Sequence, residues 1–395
     1  MEGSEKQEQA KKKITEAKTF SVPFALERIK GNITITTHTD SKPLKEQIIN
    51  KAIKFHSEGN IAEAINYYQL FINKGFSDYR VFCNYGVLLK ELGKLQEAEM
   101  STRKAIRMKP NIAEAHSNLG NILKEFGRLQ EAELSTRKAI KLKPDLANAH
   151  INLGLILKDM GKFEEGELQE KKGIDMEFIR NVDSKFKENC LKYLSHSKSQ
   201  FRQDLFTLSQ LNFKENGYFV EFGSCDGIVG SNSYLLEKFF NWDGILAEPA
   251  IYWHKKLRKN RSVNIETKCI WKSSGQEILF NEPISHKQLS TIDSFSNEKY
   301  QKKEKRYKVK TISLLDLLDK YEAPKSIDFL SIDTEGSEYE ILRAFNFNKY
   351  KFRVITCEHN FSPIREKIYH LLTNNGYKRK LTAISRVDDW YILAE

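Results

Sequence analysis

The chain has 395 residues, enough for two or three domains, and its 40% hydrophobic content is sufficient for buried cores. Its formal charge of +11 is spread along the chain among glutamates rather than gathered, which weighs against a dedicated nucleic-acid surface. The five cysteines form no C-x-x-C pair, which argues against a disulfide framework or a zinc site, and no apolar run approaches the roughly 18 residues of a membrane span, so a cytoplasmic protein is expected.

Residues 1–44 open with a polar, lysine-rich stretch that is expected to be partly disordered, and they close on Ile33-Thr-Ile-Thr-Thr37, whose alternation suits a short edge strand. A 34-residue period follows. The segment from Gly93 to Pro110 returns as Gly127 to Pro144 with 14 of 18 positions identical. Gly86, Gly120 and Gly154 mark one helix of each pair, while Ala98 and Ala132 mark its partner. This period, with small residues where helices cross and proline at the repeat end, is the tetratricopeptide pattern. Four repeats are expected over residues 45–180, the outer two weaker, as capping units are; the last replaces the crossing alanines by Gly166 and Gly173. Such arrays hold a peptide or a protein partner. Asn84, Asn118 and Asn152 recur at one position: either they form an amide ladder for an extended peptide, resembling that of protein O-glycosyltransferases, or asparagine is simply common there.

Residues 181–216 carry enough leucine and phenylalanine for a packed helical connector. In residues 217–395, strands are expected at 218–222, 244–248, 264–270, 327–332 and 352–357, alternating with helices. The expected overall fold is therefore an all-α repeat solenoid followed by an α/β, Rossmann-like domain with a doubly wound sheet. Residues 271–312 are longer than a usual connection and form an expected insertion over the crevice, suited to acceptor recognition. Two basic runs, His254 to Arg261 and Lys302 to Lys310, fit solvated faces better than anion sites.

Three strands end in acid and glycine, and in a parallel sheet such ends line the ligand crevice. After the first strand come Gly223, Ser224, Cys225, Asp226 and Gly227. Cys225 stands where a dinucleotide fold places its second glycine, and no G-K-[ST] motif exists in the chain. Glu221 precedes the turn, and Glu248, followed by Pro249, ends the next strand 27 residues later, one β-α-β unit on. A carboxylate there accepts ribose hydroxyls, and an acid-rich turn repels pyrophosphate while tolerating a sulfonium. This points to an S-adenosylmethionine pocket formed by Glu221, Gly223, Ser224, Asp226, Gly227, Glu248 and Pro249.

These pieces, with Ser231-Asn-Ser-Tyr-Leu-Leu-Glu237, Trp242 to Pro249, Ile332-Asp-Thr-Glu-Gly-Ser-Glu338 and Cys357-Glu-His-Asn360, resemble the FkbM family of S-adenosylmethionine-dependent methyltransferases. The resemblance runs from about residue 199 to the end and includes Gln200 to Phe206 and Asp388-Asp-Trp-Tyr391. It implies a class I methyltransferase fold that methylates a hydroxyl on a sugar, glycan or other metabolite.

Methyl transfer from an activated sulfonium needs alignment and removal of a proton. Asp333 and Glu335 after the fourth strand and Glu358 and His359 at the end of the fifth are the catalytic candidates, with His359 the base best suited to neutral pH. Asp333 and Glu335 also suit capping of a helix starting near Ser337. A divalent metal on Asp333, Glu358 and Asn360 would suit these oxygen ligands, and nothing in the sequence requires one. The alternatives are a repeat-bearing glycosyltransferase, opposed by the absence of a D-x-D motif, and a non-catalytic scaffold.

Overall fold

The computed structural model describes residues 41–284, 286–296 and 304–394. The 33–37 alternation, the polar start and Lys302 lie outside them. The chain forms two compact units, Met1–Glu177 and Phe178–Glu395. Among the described residues no helix is long and apolar enough to cross a membrane.

The first unit is a stack of paired helices. Its pairs are α1 (Ser41–Ser57) with α2 (Ile61–Asn73), α3 (Tyr79–Glu91) with α4 (Leu95–Met108), α5 (Ala113–Glu125) with α6 (Leu129–Leu142), and α7 (Ala147–Asp159) with α8 (Phe163–Asn181). Each pair meets where its small residues fall. Ala98 and Ala132 are wholly buried, and Gly86 and Gly120 lie against Thr102 and Thr136 of the partner helix. In the fourth pair the partner helix carries glycine as well, Gly166 where the inner pairs have Ala98 and Ala132. A Cβ on Gly154 would come within 2.6 Å of the Gly166 carbonyl oxygen, so two backbones touch there. Between pairs the ionic register also repeats every 34 residues, with Arg128 reaching Glu99 at 2.9 Å and Lys162 reaching Glu133 at 3.1 Å. Exposed pairs of this kind contribute little individually.

Asn84, Asn118 and Asn152 face the interior rather than offering a peptide-binding ladder. All three are buried; the Asn118 amide donates to Cys83 Sγ and the Asn152 amide to Ser117 Oγ (3.3 Å), while Asn84 bonds Tyr68. Each amide therefore serves the preceding repeat. Of the two readings, this burial favours asparagine as a packing residue over a peptide ladder.

In the second unit, α9 (Lys187–Tyr193) and α10 (Gln203–Gln210) lie within residues 181–216 and precede the first strand. The strands and helices then run β1 (Tyr218–Phe222), α11 (Tyr234–Phe240), β2 (Asp243–Ala247), α12 (His254–Asn260), β3 (Asn264–Glu266), β4 (Cys269–Trp271), β5 (Glu277–Pro283), β6 (Thr291–Ile292), β7 (Glu304–Ser313), α13 (Leu314–Lys320), β8 (Ser326–Ile332), α14 (Glu338–Arg343), β9 (Lys351–Glu358), α15 (Ile364–Asn374), β10 (Tyr377–Lys380) and β11 (Asp388–Leu393). The main sheet has the order β10-β11-β9-β8-β1-β2-β3. It is parallel from β3 to β9, and β11 runs antiparallel to both its neighbours. Alternation along the strands separates two faces. Val220 and Phe222 pack with Leu317, Leu342 and Leu372 of α13, α14 and α15, whereas on the other face Phe206 of α10 packs on Trp390 with ring centroids 4.8 Å apart.

Residues 264–270 do not form one strand. The Glu266 carboxylate accepts the backbone N–H groups of Thr267 (2.9 Å) and Lys268 (3.0 Å), which turns the chain out of the main sheet. β4 then joins a second sheet of order β4-β7-β5-β6. The lysine-rich connection is accordingly a hairpin: β5 and β7 pair antiparallel from Glu277 with Lys310 to Pro283 with Glu304. Its lysines hid it, because β7 is an exposed strand whose polar residues blur the period-two signal. β10 and β11 were likewise not expected as strands.

If the Gly154–Gly166 contact sets the spacing of the last pair, Gly154→Ala should cost about 1–3 kcal/mol through overpacking. Chemical denaturation of the variant with unchanged midpoint would show that the helices separate freely.

Candidate active site

The chain leaves β1 through a turn that only a glycine can begin. Gly223 has φ +73°, and a Cβ there would overlap the Asp333 carbonyl oxygen at the end of the adjacent strand β8. Its N–H donates to Ala247 O at 3.1 Å, and Ser224 Oγ donates to Glu221 O (3.2 Å) and Ala247 O (3.3 Å). Asp226 Oδ1 accepts from the N–H groups of Ile228 (2.9 Å) and Val229 (3.0 Å), an Asx turn that closes the loop, and the Gly227 N–H donates to Ser224 O at 2.8 Å. Glu248, just past β2 and next to half-buried Pro249, is buried and accepts two backbone N–H groups, from Cys225 and from Ala250, each at 2.8 Å. Burial pushes its carboxyl up to about 7, and the neighbouring Glu282 and Asp333 add to the effect.

Glu221 does not open into this crevice as expected. Its carboxylate accepts from Ser231 Oγ (3.0 Å), from Ser233 Oγ and from the Asn232 N–H (2.7 Å), so its oxygens hold the 231–233 segment. Arg261 completes this knot. It is buried, forms an ion pair with Glu237, and donates to Gly227 O and Ser231 Oγ, each at 3.0 Å, and to Ser233 Oγ at 2.8 Å. The last cation of the His254–Arg261 run is thus a positioning residue for the turn rather than part of a solvated face. Charge counting missed it, although Ser231-Asn-Ser had been singled out as a motif without a role.

Across the Gly223–Asp333 contact lies a cluster of acids. Asp333, Glu335 and Glu358 each place a carboxylate oxygen within 4.8 Å of the others. Glu358, at the end of β9, is 7% exposed, whereas Asp333 is open to solvent and Glu335 is intermediate. The crevice walls desolvate all three carboxyls, Asp333 included although the residue also presents surface to solvent, and raise them above the usual range. Repulsion within the cluster adds to the rise for Glu335 and Glu358, Glu338 and Glu221 add to it for Asp333, and a hydrogen bond between Asp333 and Glu358 partly offsets it for Asp333. Capping does not explain them. Glu338 Oε1 holds the loop ahead of α14, accepting from the N–H groups of Thr334 and Gly336, each at 3.0 Å, and from Thr334 Oγ1 at 2.9 Å.

His359 does not join the cluster. Its Nδ1 accepts the Phe361 N–H at 2.9 Å, and its Nε2 lies 3.8 Å from Asp389, a carboxylate also bound by Arg365 and Arg379. Burial lowers its pKa, and the ring is 4% exposed as part of a buried ionic knot. Buried, with Nδ1 taken by the Phe361 N–H and Nε2 on the Asp389 side rather than among the three acids, His359 is set apart from the crevice, which corrects that expectation.

The hairpin reaches both halves of the crevice. Thr291 Oγ1 donates to the carbonyls of Thr334 (3.1 Å) and Glu335 (3.2 Å), and Phe295 packs on Gly336. Tyr307 Oη accepts the Ile251 N–H at 3.1 Å, three residues past Glu248, and donates to Glu282 Oε2 at 2.8 Å. From the other side Gln203 Nε2 donates to Asp388 Oδ2 at 2.6 Å, fixing the start of α10 to β11 beside Glu358, with which Asp388 is in register.

The family model described as "Methyltransferase FkbM domain" matches residues 221–379, and that of the tetratricopeptide repeat matches residues 79–112 and 113–146, the two inner repeats. No curated protein matches the chain. Solved structures similar to it include the MamA protein (21% identity over 39% of this chain and 90% of that one, TM-score 0.31). Others are the O-GlcNAc transferase of Thermobaculum terrenum (14% identity, 58% and 42%, TM-score 0.34) and the first repeat domain of Spaghetti (RPAP3) bound to an HSP90 peptide (21%, 32% and 99%, TM-score 0.29). At these scores the structural likenesses carry no argument. On the family models and the helix pairs together, the chain combines tetratricopeptide repeats with an FkbM methyltransferase domain.

Proposed function

We propose that the second unit transfers the methyl group of S-adenosylmethionine to a hydroxyl of a sugar, glycan or other small metabolite, and that the repeats bind a protein or peptide partner. The observation that carries this reading is the contact of Gly223 with the Asp333 carbonyl. It sets a glycine turn next to an acid end, so a sulfonium held by the turn and a proton acceptor would be neighbours. The FkbM domain match supports methyl transfer, and the Glu248 carboxylate at the β2 end suits ribose hydroxyls.

In the reaction the acceptor oxygen attacks the methyl carbon, the carbon–sulfur bond breaks, S-adenosylhomocysteine leaves, and the hydroxyl proton passes to a carboxylate. Of Asp333, Glu335 and Glu358, Asp333 is best suited to that last step, because its carboxyl, raised only to about 6, is ionised at neutral pH and still a stronger base than an ordinary one, with Glu335 and Glu358 beside it. The negative crevice also suits a cationic donor better than a phosphate-bearing one.

Calorimetry should show that Glu248→Ala weakens S-adenosylmethionine binding about tenfold or more, as loss of a charged hydrogen-bond acceptor does. Tight binding of NAD or a sugar nucleotide by the native chain, with none of the methionine derivatives, would overturn the proposal. With labelled donor and a panel of glycans and metabolites, Asp333→Asn should lower kcat while donor affinity stays within about twofold, the mark of a group acting in the transition state. Unchanged kcat would remove Asp333 from the chemistry.

The acids also affect stability. Glu335, raised to about 8, keeps its proton in the folded chain while the unfolded chain loses it near 4.5, so its destabilising contribution grows from about pH 4.5 to about pH 8 and then levels. Glu335→Gln in metal-free buffer should therefore raise the melting temperature more at pH 9 than at pH 5. An equal gap at the two pH values would mean that Glu335 titrates normally.

A further inference from the structure

Three carboxyl groups within 4.8 Å of one another cannot all ionise without a counter-charge. The charged groups that raise their pKa values are themselves carboxylates: each other, Glu221, Glu338 and Asp388. A second observation concerns Glu358 alone. Although the residue is more than nine-tenths buried, no N–H or hydroxyl donor reaches its Oε2, and a bare buried carboxylate oxygen is costly. Two neutralisers fit: shared protons, or a cation seated among the oxygens.

We infer that Asp333, Glu335 and Glu358 form a seat for one divalent metal ion. The donor set is entirely carboxylate oxygen, which selects a hard cation such as Mg²⁺, Mn²⁺ or Ca²⁺ over zinc or copper. The pair Asp333 and Glu358 comes from the ends of two adjacent parallel strands, and Glu335 is brought to them by the loop that Glu338 and Thr291 hold. Because Asp333 is open to solvent, the ion would keep coordination positions for water or an acceptor oxygen, and a bound hydroxyl would lose its proton more readily. Glu358 then needs no donor from the protein. The ion supplies its missing partner.

This inference rests on the acids being the acceptor side of the proposed site, but its test needs neither donor nor acceptor. The full chain is freed of metal with a chelator and titrated with Mn²⁺, and free Mn²⁺ is followed by electron paramagnetic resonance. One ion per chain should bind saturably, with affinity falling about tenfold or more in both Glu335→Gln and Glu358→Gln. Melting provides an independent readout with opposite signs. Without metal each variant should melt at or above the native chain, because a repulsive charge is gone, whereas Mn²⁺ should raise the melting temperature of the native chain and not of the variants. A variant that failed to fold would show neither behaviour, and the other would then decide. Absence of saturable binding of Mn²⁺, Mg²⁺ and Ca²⁺ up to millimolar concentration, or binding untouched by both substitutions, would overturn the inference. S-adenosylmethionine affinity measured on the same metal-free sample separates the two proposals: donor binding without metal binding defeats only the cation seat, and metal binding without donor binding defeats only the methyl donor.

Discussion

The second unit is organised around one steric contact, the passage of the β1 turn over the end of β8. Because residue 223 has no side chain, the turn can rest on the Asp333 carbonyl, and the parallel order β8-β1-β2 brings three acid-bearing strand ends to one edge of the sheet. Everything around that edge serves to hold it. Glu221 and Arg261 brace the loop behind the turn, Glu338 holds the loop beside it, and Glu248 joins the turn to β2 through the Cys225 N–H. A larger residue at position 223 would push apart the two strand ends that the proposed chemistry needs in contact.

Much of this was legible in the sequence because the informative residues sit in short apolar strands that end abruptly in acid and glycine. The 34-residue period was equally plain, since a repeat states its own boundaries. What was hidden was orientation. Glu221, one residue before the end of β1, and Glu248, just past β2, look alike in sequence, yet the first is engaged by Ser231, Asn232 and Ser233 while the second bonds the turn through the Cys225 N–H. His359 reads as a base from its residue type alone, and only its distance from Asp389 and its bond to Phe361 reveal a buried structural ring. Arg261 was concealed by its basic neighbours, and Asn84, Asn118 and Asn152 by the resemblance of their spacing to a binding ladder. In each case the sequence specifies the chemical group, whereas the partner that occupies it is contributed by a segment distant in the chain.

The two units resolve the problem of buried polarity in different ways. In the repeats the recurring amides of Asn84, Asn118 and Asn152 are each matched by a group from the preceding pair, so their polarity is settled locally and the pattern can be repeated. In the sheet unit the buried carboxyls at the strand ends lie beside other carboxyls, and their charge is left in excess. Stability and chemistry thus make opposite demands on the same kind of residue.

The hairpin formed by β5, β6 and β7 meets the crevice loops through the Thr291 hydroxyl and Phe295 at one and the Tyr307 hydroxyl at the other, and through a small core that Phe280, Ile292 and Val309 share with Ala250. Its own strands bond mainly to one another. The exposed lysines of β7 take no part in those contacts, so substitutions there can reshape the outer surface of the hairpin without disturbing the turn or the acids.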